Sequence, residues 1–150
     1  MLWCLISRLL RDERGTSLIE MTFIIPMLAM LGCGATDLAM CYAKGLKIQQ
    51  AAARTAEFAI AYGSKGNLAT TLQTEAAAAA GVPSSNVVVD NWLECDGTRQ
   101  TDFNGSCSGS SPARFTSITI SDTYTWTMAK LVKSWGTSVP LKGYAAVRIQ

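Results

Sequence analysis

Residues 14–20, Arg-Gly-Thr-Ser-Leu-Ile-Glu, with the uncharged apolar run over 21–36 behind them, constrain this chain more than any other stretch. From Thr16 to Asp37 there are 22 residues, which as an α-helix cover about 33 Å at 1.5 Å per residue. That length matches a hydrocarbon core of roughly 30 Å, so residues 16–37 are expected to cross a membrane. Glu20 is the one charge between Thr16 and Asp37. A carboxylate near the centre of a membrane helix costs on the order of 2.5–3.5 kcal/mol, and so requires a partner of opposite charge. Arg11 or Arg14, in the headgroup layer, could supply it within the same helix.

Residues 1–15 carry Arg8, Arg11 and Arg14 among Leu2, Trp3, Leu5, Ile6, Leu9 and Leu10. This reads as a short basic leader. It is unlike a secretory signal, because its apolar part is short and ends in charges. Within the span, Pro26 removes the helix bond to Thr22 and is expected to kink or locally open the helix. Asp37 falls where the span meets the far interface. The three arginines before the span are matched by Lys44, Lys47 and Arg54 after it, so charge alone does not orient it.

With 150 residues, the chain has room for one small domain beyond this anchor. A net charge of +2, with no stripe of Lys and Arg among aromatics, argues against nucleic acid as a partner. There is no histidine. The commonest general base and metal ligand is therefore missing, and neither clustered carboxylates nor a Gly-rich phosphate loop takes its place. Catalytic residues, a metal site and a cofactor are not expected, and the chain does not read as an enzyme.

Five cysteines are present: Cys4 in the leader, Cys33 and Cys41 on the anchor helix, and Cys95 and Cys107 further along. The last two enclose a polar, turn-rich segment and are expected to form a disulfide, worth roughly 3 kcal/mol on the chain-entropy account. Two thiols fall short of the four ligands of a structural zinc site. A disulfide implies an oxidising compartment, which places residues 38–150 outside the cytoplasm.

The alanine-rich segment 38–62 continues the helix beyond the membrane. Tyr42, Leu46, Gln49, Ala53, Ala56 and Ile60 follow helical spacing and suggest a narrow face open to close approach by another backbone. Gly63 ends this helix, and a second runs over 68–80 and stops at Gly81 and Pro83. Segments 86–93, 115–127 and 144–149 have the β-branched and aromatic patterning of strands. Between the last two, 128–135 reads as a helical turn and 136–140 as a loop, with Trp126 and Trp135 expected in the core. The fold class is α+β: a long N-terminal helix, a short second helix and a small antiparallel sheet, which needs a helix on one face to be stable.

Four features together resemble the TadE-like minor pilins, or pseudopilins, of the tight-adherence (Flp-type) pilus system. They are the Arg14 to Glu20 junction, Pro26 within the apolar span, the small-residue helix over 50–56 and the aromatic strand ending near Tyr124. The resemblance implies cleavage between Gly15 and Thr16 by a prepilin peptidase, with 1–15 as the removed leader. It further implies that Glu20 faces the new N-terminal amine of a neighbouring subunit and sets subunit register. Such an ion pair, about 4 Å apart, gains about 4 kcal/mol at an effective dielectric of about 20 before desolvation is subtracted. The partners implied are the peptidase, other minor pilins, the major Flp-type pilin, the inner-membrane assembly platform and membrane lipid. Met21 stands where many members of the wider group carry Tyr, and with the chain length this favours a minor over a major subunit.

Two other readings are open. Met30-Leu31-Gly32-Cys33 partly resembles a lipobox, which would make the chain a lipoprotein. Alternatively, nothing is cut and the chain is a single-span anchored extracytoplasmic binding domain.

Overall fold

The computed structural model describes residues 14–63, 68–109, 111–127 and 138–149, over 14–18 the backbone alone. Residues 1–13 of the expected leader, the helical turn over 128–135 with Trp135, and the start of the loop over 136–140 lie outside these residues. The chain divides into two compact units, Met1–Ala39 and Met40–Gln150.

Helix α1 runs from Arg14–Tyr62, 49 residues, and Pro26 lies within it without ending it. It stops at Gly63, which adopts φ 67° and donates its N–H to the Ala59 carbonyl at 3.0 Å. Helix α2, Leu68–Ala80, stops in the same manner at Gly81, φ 74°. There the N–H groups of Gly81 and Val82 both return to the carbonyl of Ala77, satisfying a helix end that Pro83 cannot extend. A short 3₁₀ turn, Ser84–Asn86, leads into the sheet.

The four strands are β1 (Val87–Cys95), β2 (Thr98–Gln100), β3 (Ala113–Thr125) and β4 (Ser138–Arg148). They lie in the order β2-β1-β3-β4, antiparallel at every pairing. The α+β class expected from patterning is the architecture observed. Register sets Val87 opposite Ile120 and Ile120 opposite Gly143, and strand alternation then sends one set of side chains to each face. One face carries Val87, Val89, Ile118, Ile120, Leu141, Ala145 and Val147, which pack with Ile48, Ala51, Ala52 and Ala56 of α1 and with Ala76, Ala77 and Ala80 of α2. Farther along, Ala59, Leu68 and Leu72 form a second buried cluster with Val147 and Ile149 against it. Both helices therefore cover the same face of the sheet.

Three expectations change. The buried stripe of α1 is Ile48, Ala51, Ala52, Thr55, Ala56 and Ala59; of the stripe read from the sequence only Ala56 belongs to it, and Tyr42 is 70% exposed. Both stripes have helical spacing and differ by about one residue, or 100° of rotation. Alanine is too frequent here to set the phase. Second, β4 begins at Ser138 and passes through Pro140, where a loop was expected. Proline is admissible because β4 is an edge strand and Pro140 is two steps of two residues from Tyr144, whose N–H points away from β3. Third, Trp126 is half-buried and packs edge-on against Tyr124, ring centroids 5.6 Å apart, outside both core clusters.

Candidate functional site

In the N-terminal unit, Gly15 and Thr16 lie in the first turn of α1, and Glu20 and Pro26 follow on the same helix. Ile19, Met21, Phe23, Ile24, Ile25, Met27, Leu28, Met30 and Leu31 are all exposed, Phe23 to 77%. Nine large apolar side chains left in water forfeit on the order of 10 kcal/mol of transfer free energy, at about 1.5–3 kcal/mol for each one fully buried. Such a surface fits an apolar surrounding. The helix is long and apolar enough to cross a membrane. Glu20 is exposed on it. Thr36 returns its hydroxyl to the Gly32 carbonyl at 2.8 Å, the usual way to hide a hydroxyl in an apolar helix. Asp37, expected where the span meets the far interface, is 2% exposed and is not without a partner.

In the C-terminal unit, Cys95 and Cys107 are joined, their Cα atoms 5.6 Å apart. Cys33 and Cys41 are free. The segment between the bonded cysteines is more ordered than a polar loop, since β2 folds back on β1 with Cys95 opposite Thr98. Asp96 and Gly97 make that two-residue turn with φ 51° and 77°. Two successive positive φ values match the right-handed twist of the strands, and Asp-Gly is the dipeptide that tolerates them. That dipeptide was visible in the sequence and identifies the hairpin. Beyond β2, the N–H of Asn104 donates to Asp102 Oδ1 at 3.0 Å, and Arg114 donates from Nε to the Phe103 carbonyl and from Nη2 to the Gly105 carbonyl.

The sheet face away from the helices carries a stack across three strands at this end. Arg99 lies over Trp92, 4.7 Å from the ring centroid, and Trp92 stacks on Phe115 at 5.5 Å and 13°. Trp92 Nε1 donates to Glu94 Oε1 at 2.7 Å, and Arg99 pairs with Asp90 at 2.7 Å.

Two polar contacts fasten α1 to the sheet. Lys44 Nζ meets Asp122 Oδ2 at 2.7 Å and donates to the Thr123 carbonyl at 2.8 Å. Burial pushes the Asp122 carboxyl up, but the Lys44 hydrogen bond, the Thr123 N–H and the Lys44 charge outweigh it and hold the group below the ordinary carboxylate value. Gln49 donates from Nε2 to the Tyr144 carbonyl at 2.9 Å and accepts the Tyr144 N–H on Oε1 at 3.1 Å.

The structure thus brings Cys95 and Cys107 together, and places Gly15, Thr16, Glu20 and Pro26 along one helix. Among the described residues no three His, Cys, Asp or Glu side chains converge as metal ligands would. No family model, no curated protein and no solved structure matches this chain.

Proposed function

We propose that the chain is a structural minor pilin, or pseudopilin, taking part in assembly of a tight-adherence (Flp-type) pilus. In this reading a prepilin peptidase cuts between Gly15 and Thr16. The protein then sits in a bacterial inner membrane by the apolar part of α1, with the disulfide-bonded domain outside the cytoplasm. Its partners are other minor pilins, the major pilin and the assembly platform, and Glu20 pairs with a neighbour's N-terminal amine.

The observation that carries the reading is the double use of one helix. α1 is unbroken from Arg14 to Tyr62, exposes apolar side chains on residues 19–31 and buries one stripe of its C-terminal half, from Ile48 to Ala59, in the core of a small α+β domain. A subunit that must be held by lipid and later packed among like helices needs both properties in one element. The junction sequence and the lone Glu20 agree with this use.

Intact mass and N-terminal mapping of the protein extracted from membranes of cells carrying the peptidase test it. A mature chain beginning at Thr16 is expected. A chain beginning at Met1, or one lipidated at Cys33, overturns the proposal in favour of an anchored binding domain or a lipoprotein.

A further inference from the structure

Strand β4 lies at one edge of the sheet, and an edge strand of 11 residues offers backbone groups to any other extended chain. The outward positions follow from one residue. Both the N–H and the C=O of Tyr144 are bonded to Gln49, so they point away from β3. In an antiparallel pair the same direction recurs every two residues, which places the backbone groups of Pro140, Lys142, Ala146 and Arg148 on that edge. Pro140 has no N–H to offer. Lys142 puts a charge beside the edge, and its side chain is exposed. Tyr144, at the middle of the row, is taken by a side chain that reproduces both hydrogen bonds of a pairing strand.

We infer that Gln49 is a clasp that closes β4 against strand addition by a second copy of this chain. A primary amide presents a donor and an acceptor side by side as a peptide does. It is held in place because Ile48, the preceding residue, is buried in the core. Contact between copies is thereby directed away from the sheet edge. Pro140 and Gln49 divide the edge so that no run of three outward positions is open from Ser138 to Ala146. This inference stands independently of the function proposed above.

The test uses the full chain in detergent micelles, wild type against Gln49→Ala and Gln49→Met; the second keeps side-chain length and helix propensity while removing both hydrogen bonds. Amide exchange at Tyr144 is read alongside amine-specific cross-linking between 14N- and 15N-labelled copies. An antiparallel edge-to-edge pair centred near Tyr144 brings the two Lys142 side chains within reach of a cross-linker. In the wild type, Tyr144 is protected and no mixed-isotope Lys142 to Lys142 product forms. In the variants, exchange at Tyr144 in the monomer rises about tenfold, as expected for losing a net hydrogen bond, and the mixed product appears. Protection unchanged at Tyr144, or faster exchange without the cross-linked product, overturns the inference. Should Gln49→Ala also lose protection at Ile118 and Ile120, the outcome for Gln49→Met decides.

Discussion

A Cβ on Gly143 would lie 2.7 Å from both Cγ2 and the carbonyl oxygen of Ile48. Helix α1 therefore rests directly on strand β4, and the absence of a side chain at 143 sets how closely the two layers approach. Ile48 is 1% exposed and central to the core that results.

Gly143→Ala should therefore destabilise the domain by about 2 kcal/mol, within the usual range for overpacking, because the clashing atoms include backbone that cannot rotate away. Gly45→Ala is the contrast: it lies within α1, and its nearest neighbour would be Leu141 Cδ2 at an ordinary 3.9 Å. That change should stabilise by up to about 1 kcal/mol through helix propensity. Urea titration of both variants beside the wild type checks the opposite signs; equal effects would mean the helix is free to move off the strand.

The ion pair of Lys44 and Asp122 predicts an acid-side dependence. The Asp122 pKa is depressed in the fold, so the unfolded chain binds the proton more readily. The stabilisation is complete above the unfolded value of about 3.9 and is lost as pH falls from there through the folded pKa. Both partners are partly exposed, so the contribution is at most about 1 kcal/mol. Asp122→Asn should lower the urea midpoint at pH 7 and shrink the difference between pH 7 and pH 3 relative to wild type.

Reduction of the bond between Cys95 and Cys107, or the double change to Ser, should cost about 2–3 kcal/mol. The sequence separation is only 12, and the hairpin at Asp96-Gly97 with the Arg114 hydrogen bonds already restrains the segment. The loss should therefore fall on β2 and the following turns, while the amides of Ile118 and Ile120 stay protected. Hydrogen exchange with and without reductant measures this; global unfolding on reduction would contradict it.

If the chain is the minor pilin proposed above, Glu20→Gln should leave membrane level and processing intact and impair assembly. The exchange keeps the shape of the side chain and removes its charge, which makes insertion easier while abolishing attraction to a neighbour's amine. Glu20→Asp should be partly impaired because the carboxylate no longer reaches as far. Cross-linking to partner pilins and pilus counts are the readouts, and normal assembly in Glu20→Gln would reduce the carboxylate to an interfacial charge.

The features legible in the amino-acid order are those set by neighbours in the chain. α1 and α2 were marked by apolar and alanine periodicity and by the glycines at 63 and 81 that take positive φ. β1 was marked by its β-branched and aromatic residues, β3 by alternation, and the joined cysteines by a polar segment between two isolated thiols. Even the hairpin at Asp96-Gly97 was written locally, although short polar β2 has no apolar alternation to announce it. What only the tertiary structure decided are contacts between residues far apart in the chain: Lys44 with Thr123 across 79 positions, Gln49 with Tyr144 across 95, Ile48 over Gly143. Which stripe of α1 is buried could not be read from a helix with alanine on several sides. The strand that approaches decides it, and the strand can approach only where a glycine leaves room. Pro140 is admitted to β4 for the same kind of reason, since a missing N–H costs nothing on a sheet edge and becomes a defect one strand further in.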